Sequence, residues 1–259
     1  MSKSEIIDGD NCGCCKIYKE KSLVYAFGMK YKHLFFDMDQ TIAPARQPIR
    51  PEMFNLLSSL EEDIVIVSGQ EVEKIKWQSN NLPAITLGQN GNHTISNDGE
   101  ELWNIKLTKD EVAEIEEHIA KLIDLLPEVP NPVWNPIENR GGQITFSPVG
   151  NTAPVEIKMK YDPDREKRNA LLQAVPFVSE NLIVKIGGST SLDYIHKDRH
   201  KGTNVQKIID YMQWSKDECI YFGDGLFPGG NDESVIGVID TVSVSDEKDC
   251  YEKLLKLMP

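Results

Sequence analysis

The sequence predicts an α/β fold built on a parallel sheet. Three runs carry that expectation: Leu34-Phe35-Phe36, Ile64-Val65-Ile66-Val67 and Ile220-Tyr221-Phe222 are continuously apolar, as strands buried on both faces are. Segments of helical period accompany them, for example Val205, Ile208, Ile209 and Met212. With 259 residues, 40% of them hydrophobic, the chain can bury the cores of two compact units.

Taken in order, the strand ends are where chemistry gathers, because ligands of open α/β sheets bind beyond the carboxyl ends of the strands. The first run stops at Asp37, with Asp39 two residues on and Thr41 two further. If the chain stays extended, Asp37 and Asp39 share a face. Two acids there suit a cation or a phosphoryl group: one carboxylate can attack phosphorus, the other can exchange a proton with an oxygen, and Mg²⁺ favours such carboxylates together with phosphate oxygens. The alternative is a loop in which the pair merely caps a helix. The second run ends in Ser68-Gly69, a small hydroxyl and a close-approaching backbone that can bind a phosphate oxygen, or an ordinary turn. The third ends in Gly223-Asp224, and Asp232 follows across a Gly/Pro-rich loop. Asp224 is a natural further metal ligand; Asp232 is either a ligand or a helix cap. Lys201 opens the helix of Val205 and Ile208, an unfavourable place for a cation in the helix dipole. A nearby anion would explain it, and a solvated lysine in a charged run is the alternative.

The remaining elements follow from local signals. Pro51 suits a first helical position, with Phe54, Leu56, Leu57 and Leu60 on the buried side. Thr108 can cap a helix whose stripe is Val112, Ile115, Ile119, Leu122, Ile123 and Leu126, and Asp164 can cap another that runs through Leu171 and Leu172. Residues 143–147, 155–160 and 183–186 read as strands. Ser191 and Asp193 alternate on one face of a further strand, and Gly91-Asn92-His93 reads as a turn with His93 a loop residue.

A net charge of −13 and a pI near 4.9 argue against a nucleic-acid partner. They leave an anionic substrate open, since a bound cation inverts the local potential. No apolar run reaches membrane-spanning length, and the start lacks a signal-peptide pattern, so a cytoplasmic protein without a membrane partner is expected. Five cysteines in that setting are expected to be reduced thiols. Cys12, Cys14 and Cys15 cluster without the fourth ligand a zinc site wants. The role of residues 1–30 and the oligomeric state stay open.

Asp37-Met38-Asp39-Gln40-Thr41, Ser68-Gly69, Lys201 and Gly223-Asp224 with Asn231-Asp232 resemble, in order, the four motifs of the haloacid dehalogenase (HAD) superfamily, over about residues 31–259. Gln40 departs from the glycine most common there. Ala43-Pro44-Ala45-Arg46-Gln47, the stretch from Arg140 to Gly150, the stretch from Ile186 to Asp193, and Phe227 to Asp232 are similar to segments of eukaryotic-type phosphomannomutases and of IIB-branch hydrolases.

The resemblance implies a Rossmann-like HAD core with a parallel sheet and an inserted α/β cap: extension 1–30, core 31–97, cap 98–196 and core 197–259. It also implies roles. Asp37 is the nucleophile and Asp39 the acid/base. Ser68, Gly69 and Lys201 hold phosphate. Asp37, Asp39 (through its backbone carbonyl), Asp224 and Asp232 are the Mg²⁺ set. Arg46, Arg140, Ser191 and Asp193 contact a sugar phosphate. Where the mutases place a second arginine, this chain has Asn151, which favours a one-phosphate substrate and a phosphatase over a phosphohexomutase. Lys158, Lys160, Arg165 or Arg168 can compensate. A non-catalytic sugar-phosphate-binding protein is the remaining class.

Overall fold

The computed structural model describes residues 29–258. Cys12, Cys14 and Cys15, and nearly all of the extension, lie outside the described residues. Two sheets organise the rest. The first has seven strands in the order β11-β10-β1-β2-β3-β4-β5: β1 (His33–Asp37), β2 (Asp63–Val67), β3 (Ile85–Gly88), β4 (His93–Ile95), β5 (Glu101–Asn104), β10 (Cys219–Gly223) and β11 (Asp240–Ser243). All pairings from β11 to β3 are parallel, and β4 and β5 are antiparallel.

The continuous apolar runs are explained by layers on both faces. Leu34 and Phe36 pack with α1 (Pro51–Ser58), α2 (Val72–Gln78) and α7 (Glu247–Leu257). Phe35, pointing the other way, packs with Val205, Ile208 and Ile209 of α6 (Lys201–Met212). Phe36 stacks on Phe222 across the β1–β10 pair, ring centroids 5.1 Å apart. Full burial of one such side chain contributes about 1.5–3 kcal/mol. Because β1, β2 and β10 are parallel neighbours in register, with Phe36 opposite both Ile66 and Phe222, their polar ends emerge at one edge. Pro51 is at the start of α1, with Met53, Leu56 and Leu57 buried.

The second sheet is antiparallel, in the order β6-β7-β9-β8: β6 (Ile137–Asn139), β7 (Gln143–Phe146), β8 (Leu182–Gly187) and β9 (Ser191–His196). It is backed by α3 (Lys109–Ile123), where Thr108 and Glu111 form a reciprocal capping box. Ile115, Ile119 and Leu122 pack on Ile144, Phe146, Leu192 and Tyr194.

Three local expectations are corrected. Residues 155–160 are not a strand but belong to α4 (Val155–Tyr161). Val155, Ile157 and Met159 are exposed and Lys158 is the buried side chain, so the alternating apolar pattern does not mark a sheet face. Pro154, at φ −52°, suits a helix entry and has no N–H for a ladder. His93 begins β4 and bonds Glu101 at 2.9 Å. At α5 (Glu166–Ala174), Asp164 accepts only the Glu166 amide, while Asp162 takes those of Lys167 and Arg168. Strand β5 pairs with β4 in the first sheet, so a division at 97/98 would cut an antiparallel hairpin; we would divide the chain after Asn104 instead. No helix among the described residues is long and apolar enough to cross a membrane.

Candidate active site

Asp37 ends β1 and is buried. Lys201, the first residue of α6, reaches it, and its Nζ also donates to Asp232 Oδ1 at 2.7 Å. Both ion pairs are shielded from solvent. The cation at a helix start is therefore paired with acids, the anion its position called for. Asp232 also accepts from Tyr221 Oη at 2.7 Å and from the Gly225 amide at 3.1 Å. Asp224 is held by its own amide, which donates to Thr41 Oγ1 at 3.2 Å.

One carboxylate oxygen from each of Asp37, Asp224 and Asp232 lies within 4.8 Å of the others. Burial first, then Asp232 and Asp224, push Asp37 well above the usual carboxylate range, against the pull of Lys201. Burial and Asp232 raise Asp224 too. On Lys201 burial opposes the charge, but Asp232 and Asp37 outweigh it and hold the ammonium above its ordinary value. Three carboxylates against one ammonium leave surplus negative charge. A set of hard oxygen donors with that surplus fits a divalent cation such as Mg²⁺.

The carboxylate of Asp39 stands apart from this cluster. It accepts from the Arg46 amide at 2.6 Å and from Gln78 Nε2 at 2.7 Å on one oxygen, and from Gln70 Nε2 at 2.9 Å on the other. Gln70 also donates to Gln78 Oε1 at 2.9 Å, closing a ring of three side chains. Gln70 Oε1 is buried without a hydrogen-bond partner among the described residues. The turn between Asp39 and Arg46 passes through Gln40 at φ +64°. The glycine-type conformation is kept with a non-glycine residue, at a cost of about 1–2 kcal/mol.

The second sheet faces this edge. Arg140 donates to the Gly69 carbonyl at 3.0 Å and pairs with Glu138 at 2.5 Å. Asp193 accepts from Thr145 Oγ1 at 2.9 Å, and Asn90 bonds Gln143 at 2.8 Å. Gly187 is required where it stands, since a Cβ there would overlap the Asp193 carboxylate. Buried Arg168 binds Asp162 at 2.6 Å and the carbonyls of Gly187, Gly188 and Ser191 at 2.6–3.2 Å. It braces that turn and is consumed by it, so it does not compensate for Asn151.

A cleft of about 350 Å³ brings the sequence candidates together: Asp37, Asp39, Arg46, Ser68, Gly69, Arg140, Ser191, Asp193, Lys201 and Asp224 all line it. Asp232 does not; it is buried and bonded to Lys201, Tyr221 and Gly225. The sequence reading missed Gln70, Gln78 and Tyr221. Gln70 directly follows Ser68-Gly69, and Tyr221 is opposite Phe35 in the β1–β10 pair, two residues before Asp37 and so on the same strand face. Gln78 had no signal of its own.

The family model described as eukaryotic phosphomannomutase matches residues 55–258, beginning after Asp37 and Asp39. A phosphomannomutase from Spinacia oleracea is 28% identical over 85% of this chain and 94% of its own length. A probable phosphomannomutase from Caenorhabditis elegans is 29% identical over 81% and 87%. Among solved structures, IMP-bound Plasmodium falciparum IMP-nucleotidase superposes with a TM-score of 0.60 at 15% identity, covering 88% of this chain and 68% of that one. A HAD-superfamily phosphatase from Bacteroides thetaiotaomicron gives 0.58 at 14%, covering 88% and 95%. These two likenesses speak for the fold, which is the HAD fold that the motifs implied. With the match spanning most of its length, the chain belongs to the eukaryotic phosphomannomutase family, whose members on this fold are HAD-type phosphoryl-transfer enzymes.

Proposed function

We propose that the protein is a Mg²⁺-dependent phosphohexomutase that moves a phosphoryl group between two positions of a hexose phosphate. The carrying observation is a single cleft with anion-binding groups of two kinds: Ser68 and Lys201 beside Asp37, and Arg46 and Arg140 toward the second sheet. A hydrolase of a monophosphate needs only the first. The relatives, named phosphomannomutases over most of their length, support this alternative better than the phosphatase that Asn151 suggested.

In this reading an Asp37 oxygen attacks one phosphorus of a hexose 1,6-bisphosphate in line, forming an acyl phosphate as that ester P–O bond breaks and releasing a hexose monophosphate that can rebind in the other orientation. Asp39 gives a proton to the departing sugar oxygen. In the return step Asp39 takes the proton of the other hydroxyl, which attacks the acyl phosphate and frees Asp37. To do so Asp39 exchanges one of its present donors for a sugar oxygen. Ser68 and Lys201 hold the transferring group, since this chemistry is mostly positioning and electrostatics. Asp37, Asp224 and the carbonyl of Asp39 would hold Mg²⁺, with Asp232 behind them, and the ion would neutralise phosphoryl oxygens. Arg140, Ser191 and Asp193 orient the sugar end. The second reading, a phosphatase, rests on Asn151, whose amide donors are spent on the carbonyls of Asn135, Pro136 and Thr145.

The test is a panel of hexose 1- and 6-phosphates with Mg²⁺, with and without a hexose 1,6-bisphosphate, scoring isomerised ester against free phosphate. Isomerisation that depends on the bisphosphate is the expected result. Stoichiometric phosphate release without isomerisation would move the assignment to phosphatase.

A further inference from the structure

The two carboxylate oxygens of Asp39 are not equally held. Oδ1 accepts from the Arg46 amide at 2.6 Å and from Gln78 Nε2 at 2.7 Å. Oδ2 accepts only from Gln70 Nε2, at 2.9 Å. Chemistry fixes both amide orientations. Each Nε2 lies between two acceptors: Gln78 between Asp39 and the Pro44 carbonyl, Gln70 between Asp39 and Gln78 Oε1. A flipped amide would set oxygen against oxygen in both places.

The two glutamines also differ in place. Gln78, the last residue of α2, is fully buried. A buried amide is tolerated when it is hydrogen-bonded, and its partners are Asp39, Gln70 and Pro44. Gln70 is half-buried and lines the cleft, where Gln78 is not part of the wall. The Gln70 backbone is anchored apart from its side chain: its amide donates to Ser68 Oγ at 3.2 Å and its carbonyl accepts from the Gln89 amide at 2.7 Å. The side chain can therefore change partner while the loop stays put.

We propose that Gln78 is the positioning residue of Asp39, anchoring Oδ1, while Gln70 holds Oδ2 until a sugar oxygen replaces it. Oδ2 is then the oxygen that carries the proton. The inference rests on the acid/base role of Asp39 in the phosphoryl-transfer reading. When the sugar oxygen arrives, Gln70 Nε2 gives up Oδ2 and keeps Gln78 Oε1, so the exchange orphans no donor. The Oδ2–H bond breaks as the O–H bond of the departing sugar forms, and the return step reverses this. Oδ1 keeps both donors throughout, which fixes the plane of the carboxylate. A sugar oxygen leaves only with a proton and so depends on that aim. A para-nitrophenolate is stable as the anion and leaves without one.

The experiment compares wild type, Gln78→Met, Gln70→Met, Asp39→Asn and the double variant Gln78→Met/Asp39→Asn, all with Mg²⁺. It reads single-turnover cleavage of a hexose 1,6-bisphosphate and first-turnover release of para-nitrophenolate from its phosphate. Loss of one charge-assisted hydrogen bond predicts bisphosphate cleavage about 10- to 100-fold slower in Gln78→Met. Para-nitrophenolate release and the bisphosphate concentration for half-maximal rate should stay within about threefold of wild type. Gln70→Met should lose less than Gln78→Met. In the double variant Gln78→Met should add nothing to Asp39→Asn, because no carboxylate is left to aim. If Gln78→Met does not fold, Gln78→Asn keeps an amide that no longer reaches Oδ1 and should show the same split between leaving groups. Equal losses on both substrates, additive losses in the double variant, or a larger loss in Gln70→Met would overturn the proposal. An Asp39→Asn protein with no split between leaving groups would refute the acid/base role itself, and the positioning with it. Cleavage is read separately from isomerisation, so a wild type that cleaves the bisphosphate but isomerises nothing would refute the mutase reading and leave the positioning standing.

Discussion

Replacing Lys201 by methionine removes the cation that pairs with buried Asp37 and Asp232, beside half-buried Asp224. With oxygens of Asp37, Asp224 and Asp232 no more than 4.8 Å apart, each like-charge pair costs about 3.5 kcal/mol or more at an effective dielectric of about 20. Breaking such buried pairs destabilises proteins by about 3–5 kcal/mol. For a chain of this size that is a fall of roughly 6–20 °C in melting temperature. The sign with pH follows from Asp37, whose folded pKa is raised. Its contribution is complete below the ordinary carboxylate range and is lost as pH rises through the raised value. The penalty of Lys201→Met should therefore be largest at neutral to alkaline pH in EDTA and smaller in acid. Mg²⁺ should offset more of it in the variant than in wild type, because a cation bound to the folded state stabilises by mass action. Differential scanning fluorimetry of both proteins, at two pH values with EDTA or Mg²⁺, reads all of this. A variant that melts with wild type in EDTA, or a deficit that neither acid nor Mg²⁺ narrows, would refute the charge argument.

Asp37→Asn should abolish turnover, since an amide cannot form the acyl phosphate; steady-state rates within about tenfold of wild type would remove the nucleophile assignment. Asp224→Ala should raise the Mg²⁺ concentration needed for half-maximal activity without erasing the fold, measured as a metal titration after chelation. Arg140→Ala should impair hexose phosphate turnover far more than aryl phosphate turnover, because its contacts are on the cap-facing wall at Gly69 and Glu138. Comparable kcat/KM losses on both would place Arg140 in the chemistry instead.

The core and most of the site were legible because they are written locally. A buried strand must be apolar throughout, so Leu34–Phe36 and its parallel neighbours announce themselves, and an acid at such an end has few structural excuses. Pro51 and Thr108 mark helix starts by chemistry within one turn. The failures are non-local. The alternation at 155–160 is a strand pattern, and only the packing that buries Lys158 and leaves Val155 and Met159 in solvent reveals a helix. Asn151 spends its amide donors on the carbonyls of Asn135, Pro136 and Thr145, contacts that no local pattern announces. The Gln70–Gln78 ring around Asp39 requires α2 to return its last residue to the β1 loop, and no residue pattern encodes that return.

The sheet order has a consequence for how the protein is made. Central β1 lies between β2, nearby in the chain, and β10, whose Phe222 pairs with Phe36. During synthesis the strand that carries Asp37 is finished early yet keeps an open flank until residues beyond 219 emerge. The segment holding β6 to β9 is contiguous and can close on itself sooner. Contacts of such long sequence separation form slowly, so the cleft is expected to be among the last features assembled. A nascent chain lacking β10 would offer a bare, strongly apolar strand edge, the kind of surface that favours aggregation. Keeping that edge covered until β10 emerges is then a requirement for soluble yield that the finished fold does not reveal.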